Sequence, residues 1–146
     1  MNNIDYFMTV AIEEAKKSGG DIPVGCVIEK NGEIIAKGFN LREKTNNVSS
    51  HAEIEALVAA GRKINNWRLE GCNIYVTLEP CPMCAWAIIN SRVHNVYFGA
   101  YDLKYGAFGS KINLNNIAPN KVNVYGGIKE DECKKILNDY FLKLRN

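Results

Sequence analysis

The chain has 146 residues, 47% of them hydrophobic and 23% charged, with a formal net charge of +2 at pH 7. That length and balance describe one ordinary globular domain over residues 1–146, with enough core to need no covalent staples. So mild a charge excludes binding to nucleic acid by overall electrostatics alone, and no apolar run reaches the roughly 18 residues of a membrane span.

The opening Met1-Asn2-Asn3-Ile4-Asp5 has no basic segment leading into an apolar run, so no export signal is expected. Ile4, Phe7, Met8, Ala11, Ile12 and Ala15 recur at helical spacing and stop before Gly19-Gly20, which predicts an amphipathic first helix. Two strands, Val24 to Glu29 and Glu33 to Phe39, flank Asn31-Gly32, a strong hairpin signal. Asn40 to Ser50 is polar and reads as a loop, and a helix is predicted from Ser49 or Ser50 onward. Asn73 to Leu78 reads as a buried strand, Pro80 and Pro82 as a turn, and Met83 to Ser91 as a helix. Asn95 to Gly99 and Val122 to Tyr125 complete five strands, and Glu130 to Leu144 closes the chain as an amphipathic helix. The order α-β-β-α-β-α-β-β-α predicts an α/β fold with a five-stranded mixed sheet covered by helices on both faces, a three-layer α/β/α arrangement.

Without an export signal, the five cysteines (26, 72, 81, 84 and 133) are expected in a reducing, cytoplasmic setting where disulfides are rare. Cys81-Pro82-Met83-Cys84 is then metal-binding or redox-active, while Cys26, Cys72 and Cys133 read as core thiols. His51-Ala52-Glu53 supplies an imidazole and a carboxylate upstream. One imidazole and two thiolates suit zinc, and three protein ligands leave the fourth tetrahedral position open for water. Both groups fall at predicted helix N-termini, where free N–H groups and the dipole favour thiolates. His51 and Glu53 point about 200° apart on an ideal helix, so both can face one site only if His51 lies at the cap.

Three other readings compete. A structural zinc site would need a fourth ligand, which Cys72, Cys133 or His94 would have to supply. A redox pair is disfavoured because Cys81 and Cys84 do not sit in a thioredoxin-like β-α-β pattern. A lone H-x-E is common by chance and carries little by itself.

Together, H-x-E followed by P-C-x-x-C is the signature of the zinc-dependent nucleobase deaminases. Asp21 to Val27, Gly38-Phe39-Asn40, Val76 to Ala85 with Ser91-Arg92, and Phe98 to Ser110 resemble the bacterial tRNA adenosine deaminases, the TadA family of the cytidine-deaminase-like superfamily. The last segment, with its G-A-x-D-x-K-x-G-A-x-G-S pattern, is the most discriminating. The resemblance implies a homodimeric hydrolase with one Zn2+ per subunit, converting adenosine to inosine at the wobble position of a tRNA anticodon. His51, Cys81 and Cys84 would bind the metal, Glu53 would shuttle the proton, and Asn40 would hydrogen-bond the flipped-out base. Arg42, Lys44, Lys104, Phe141, Lys143 and Arg145 are candidates for RNA contact.

The chain departs from that family at Val48-Ser49-Ser50, at Trp86 and at Asn120-Lys121. The indole of Trp86 is expected either in the pocket wall or in a dimer contact. The rivals are a deaminase of a free base or nucleotide of the guanine or cytosine type, and a non-catalytic zinc or RNA-binding module.

Overall fold

The structure is a computed structural model and describes residues 3–145. Met1 and Asn2, which entered the reading for an export signal, lie outside those residues. Helix α1 (Asn3–Ala15) leads into the hairpin of β1 (Gly25–Lys30) and β2 (Glu33–Phe39). Asn31 and Gly32 both take positive φ, 53° and 83°, the left-handed turn that a two-residue hairpin requires. A short helix α2 (Arg42–Thr45) precedes α3 (Ala52–Ile64), β3 (Cys72–Leu78), α4 (Pro82–Asn90) and β4 (Asn95–Ala100). Strand β5 (Asn123–Tyr125) and helix α5 (Glu130–Arg145) complete the chain.

The sheet order is β2-β1-β3-β4-β5. Strand β1 pairs antiparallel with both β2 and β3, while β3, β4 and β5 run parallel. Alternation along the strands divides the core into two layers. Cys26, Ile28, Ile74, Val76, Val96 and Phe98 pack with residues of α3 and α4. On the opposite face, Val27 and Tyr75 meet α1 through Phe7, Met8, Ala11 and Ile12, and α5 through Cys133. The three-layer α/β/α arrangement with a mixed sheet is therefore as expected. All five cysteines are free thiols, and Cys26, Cys72 and Cys133 are fully buried core residues.

One end of the sheet carries a polar ladder. Asn123 Nδ2 donates to Asn95 Oδ1 at 3.1 Å, Asn95 Nδ2 to Asn73 Oδ1 at 2.8 Å, and Asn73 Nδ2 to Glu29 Oε1 at 2.8 Å. One rung further along, Tyr75, Tyr97 and Tyr125 stack with centroids 4.8 and 5.1 Å apart. Each rung joins residues paired across neighbouring strands, so the ladder fixes their register.

Some boundaries differ from the sequence reading. The expected loop from Asn40 to Ser50 contains α2, because the Asp21 carboxylate accepts from Glu43 N (2.8 Å) and Lys44 N (3.3 Å) and caps its first turn. Helix α3 begins at Ala52 rather than at Ser49 or Ser50. Those serines belong to a turn in which Asn47 Oδ1 accepts from both the backbone and the hydroxyl of Ser49. Strand β5 starts one residue late, since Val122 N donates to the Asn115 side chain instead of to the ladder.

Candidate metal centre and pocket

Two helix starts face each other on the α3–α4 side of the sheet. His51 caps α3 and Cys81 caps α4 with near-identical extended backbones, φ −72° and ψ 156° against φ −73° and ψ 172°. Neither side chain caps its own helix. Both turn instead toward a common point. Pro82 at the first helical position fixes the turn that aims Cys81, and Cys84 one turn along reaches the same point from full burial.

His51 Nδ1 lies 3.6 Å from Cys81 Sγ and 3.5 Å from Cys84 Sγ, and all three ligand atoms fall within 4.8 Å of one another. A nitrogen about 2.05 Å and a sulfur about 2.3 Å from one tetrahedral ion stand about 3.6 Å apart. The donor set therefore fits zinc in chemistry and in spacing. No other histidine, cysteine or carboxylate joins this cluster among the described residues, and His94 is exposed. A structural site with a fourth side-chain ligand finds no support.

Electrostatics at the cluster push its two thiols in opposite directions. Cys84 donates to Cys81, which, with help from His51, holds the Cys81 thiol down at about 4. The Cys84 thiol is pushed far up by that same bond and by burial. His51 is raised, chiefly by its hydrogen bond to Cys81. Glu53, on the first turn of α3, is 4% exposed and stands outside the ligand cluster. Burial pushes its carboxyl up from 4.5 to about 7, with the nearby Cys81 charge adding to the shift and its own backbone amide opposing it.

A cavity of about 360 Å³ opens over this centre, lined by His51, Glu53 and Cys81 on one side and by Asn40, Arg42 and Tyr105 on the other. A larger concavity of about 1000 Å³ lies between α3 and α4 around Trp67 and contains none of the ligand atoms. Chemistry, not size, selects the smaller one.

Asn40 is buried in the pocket wall, and its amide is partly engaged. Nδ2 donates to Ile22 O at 3.1 Å and Oδ1 accepts from Arg42 N at 3.1 Å. One amide hydrogen and one lone pair remain for a ligand, in an orientation fixed by those two bonds.

The remaining sequence candidates separate. Arg42 lines the pocket, and with Lys44 it also lines an adjoining cavity closed by Tyr140. Lys104 stands beside Tyr105, its ammonium 5.2 Å from the ring centroid. Phe141, Lys143 and Arg145 are exposed on α5 and line neither cavity. Trp86 is 39% exposed and absent from the pocket wall, which leaves the outer surface of α4 as its place. Lys121 binds Asn115 O away from the pocket. The sequence reading missed Glu79, Asp102 and Tyr105, all of which line the cavity. The signal available was a charged residue wedged between a buried strand and a metal-binding cysteine.

Among known proteins, the family model for the cytidine and deoxycytidylate deaminase zinc-binding region matches residues 1–100. The chain is 44% identical to the tRNA-specific adenosine deaminase of Bacillus subtilis, over 99% of this chain and 92% of that one. It is 41% identical to that of Aquifex aeolicus, over 97% and 96%. A solved structure from work on A-to-I editing by tRNA:A34 deaminases at the wobble position superposes with a TM-score of 0.84 at 36% identity, covering 90% of this chain and 99% of that one. The fold and its donor set define a zinc-dependent deaminase. Within that class, the chain belongs to the tRNA-specific adenosine deaminase family.

Proposed function

We propose that the chain catalyses hydrolytic deamination of adenosine to inosine at the wobble position of tRNA anticodons, with His51, Cys81 and Cys84 holding one zinc and Glu53 moving the proton. The observation that carries this reading is Glu53 itself, a buried carboxyl beside the donor cluster but not part of it. Zinc held there supplies activation of water at neutral pH. Glu53 takes one proton as water adds to C6 of the purine and returns it to the ring nitrogen, then carries the second proton from the new C6 hydroxyl to the departing amine. Ammonia leaves and a carbonyl takes its place. A buried carboxyl beside the ligand atoms, but not one of them, suits both halves of that exchange.

Asn40 orients the base through its free amide hydrogen and lone pair. A cavity of 360 Å³ takes one splayed nucleoside, not a base pair, which suits a single-stranded loop. A tRNA substrate supports a cytoplasmic reaction. Among the described residues no helix is long and apolar enough to cross a membrane. Turnover on an anticodon stem-loop bearing a wobble adenosine is expected to exceed that on free adenosine, cytidine or guanine by at least about 100-fold in kcat/KM, because contacts remote from C6 contribute to the reaction. Faster turnover of a free base or nucleoside would reject the RNA assignment.

The working form is a homodimer. The open groove between α3 and α4, with exposed Val58 and Trp67 at its rim, supports docking of a second copy. Sedimentation of the zinc-loaded chain is expected to give twice 16.3 kDa, and a single 16.3 kDa species would refute the dimer.

A further inference from the structure

Glu79 is 2% exposed and lies between the end of β3 and Cys81. Its oxygens accept from four donors of one downstream segment. Oε1 takes Asp102 N at 3.1 Å and the Ser110 hydroxyl, while Oε2 takes Phe108 N at 3.2 Å and Ser110 N at 3.1 Å. No lysine, arginine or histidine pairs with it among the described residues. A buried carboxylate satisfied wholly by one loop is a fastening for that loop.

The loop is drawn tightly against it. A Cβ added at Gly106 would meet Glu79 Cδ at 2.4 Å and Asp102 O at 2.5 Å, so only glycine permits the approach. Ala107 N donates to Pro80 O at 2.8 Å, and Asp102 Oδ1 accepts from Lys104 N and Tyr105 N at 3.1 and 3.0 Å. The opposite side of the same loop faces the pocket. Asp102 and Tyr105 line it, and Tyr105 is 56% exposed with the Lys104 ammonium beside its ring. An exposed aromatic face next to a cation is a surface on which a nucleobase stacks while its phosphate is neutralised.

We propose that Glu79 is a positioning residue for substrate: it fastens the 102–110 loop so that Tyr105 stands at the pocket mouth as a stacking face for a nucleotide flanking the reacting base. This rests on the RNA-deaminase reading above. Glu79→Gln keeps the volume but replaces one acceptor by an NH2 group, which then confronts donors from the loop instead of binding them. The stacking face loosens while His51, Cys81 and Cys84 keep their places at the starts of α3 and α4.

The experiment measures kcat and KM on a wobble-adenosine stem-loop well below the melting temperature, with zinc content determined in parallel. Glu79→Gln is expected to raise KM roughly tenfold, the effect of losing one base–aromatic stack, with zinc retained and kcat changed by less than about threefold. Tyr105→Ala is expected to raise KM comparably with no change in melting temperature, and the double variant to lose little more than either single one. An unchanged KM in Glu79→Gln, or losses that multiply in the double variant, overturns the proposal. Should Glu79→Gln fail to fold, Ser110→Ala removes one of the four donors and is expected to raise KM about threefold; an unchanged KM there also overturns it. A wild-type chain that does not deaminate the stem-loop would instead overturn the functional reading itself.

Discussion

Replacing Glu53 by alanine is expected to lower kcat/KM on a wobble-adenosine stem-loop by at least about 10³-fold while leaving one zinc bound per chain, as befits loss of an acid–base group that is not a ligand. Glu53→Gln should behave alike, because the amide keeps the shape but cannot carry the proton. Elemental analysis alongside a turnover assay decides the matter, and retained activity with full zinc would remove Glu53 from the mechanism. Stability should move in the opposite direction. A carboxyl lifted from 4.5 to about 7 on folding destabilises the folded chain by an amount that grows between those pH values and stays constant above them. Chelator-treated Glu53→Gln should therefore melt higher than the chelator-treated parent at pH 8, with a smaller difference at pH 5.

Cys84→Ala is expected to abolish both zinc binding and deamination. Loss of a buried sulfur ligand leaves one nitrogen and one sulfur, one protein ligand fewer than a catalytic zinc site requires. In the parent chain the Cys84 proton and any proton on His51 must leave as the metal enters. Zinc affinity should consequently rise with pH, by about tenfold per unit for each proton released. Competition with a chelator at several pH values measures the slope. A flat profile would mean that the ligands are already deprotonated before metal arrives, and a zinc-replete, active Cys84→Ala would remove Cys84 from the site.

Local chemistry was legible in the sequence, whereas long-range polar contacts were not. The two ligand motifs, the Asn31-Gly32 turn and the apolar face of α1 each follow from spacing within a dozen residues, and the structure has all of them. The apolar side of α5 packs through Cys133, Ile136 and Leu137, with Phe141 and Leu144 exposed. Helix α2 stayed hidden because its cap, Asp21, comes from the far side of the hairpin. For Asn40, the family resemblance implied a contact to the base and said nothing of a turn. In the structure its side chain caps a turn, and part of the amide still faces the pocket. Glu79 escaped notice for a related reason. Its four donors lie 23 to 31 positions downstream, in a glycine-rich stretch that reads locally as no more than a tight loop.

The asparagine rungs have a consequence for the far end of the sheet. Strands β3 and β4 deliver Glu79 and Asp102 side by side only because Leu78 stands opposite Ala100. Sliding one strand by two residues would separate those groups by about 7 Å and part the loop from its anchor. Asn73, Asn95 and Asn123 forbid that slide by binding one another in sequence. They act as a ruler for a pocket they never approach, and the placement of the 102–110 loop is inherited from side chains at the opposite end of the strands.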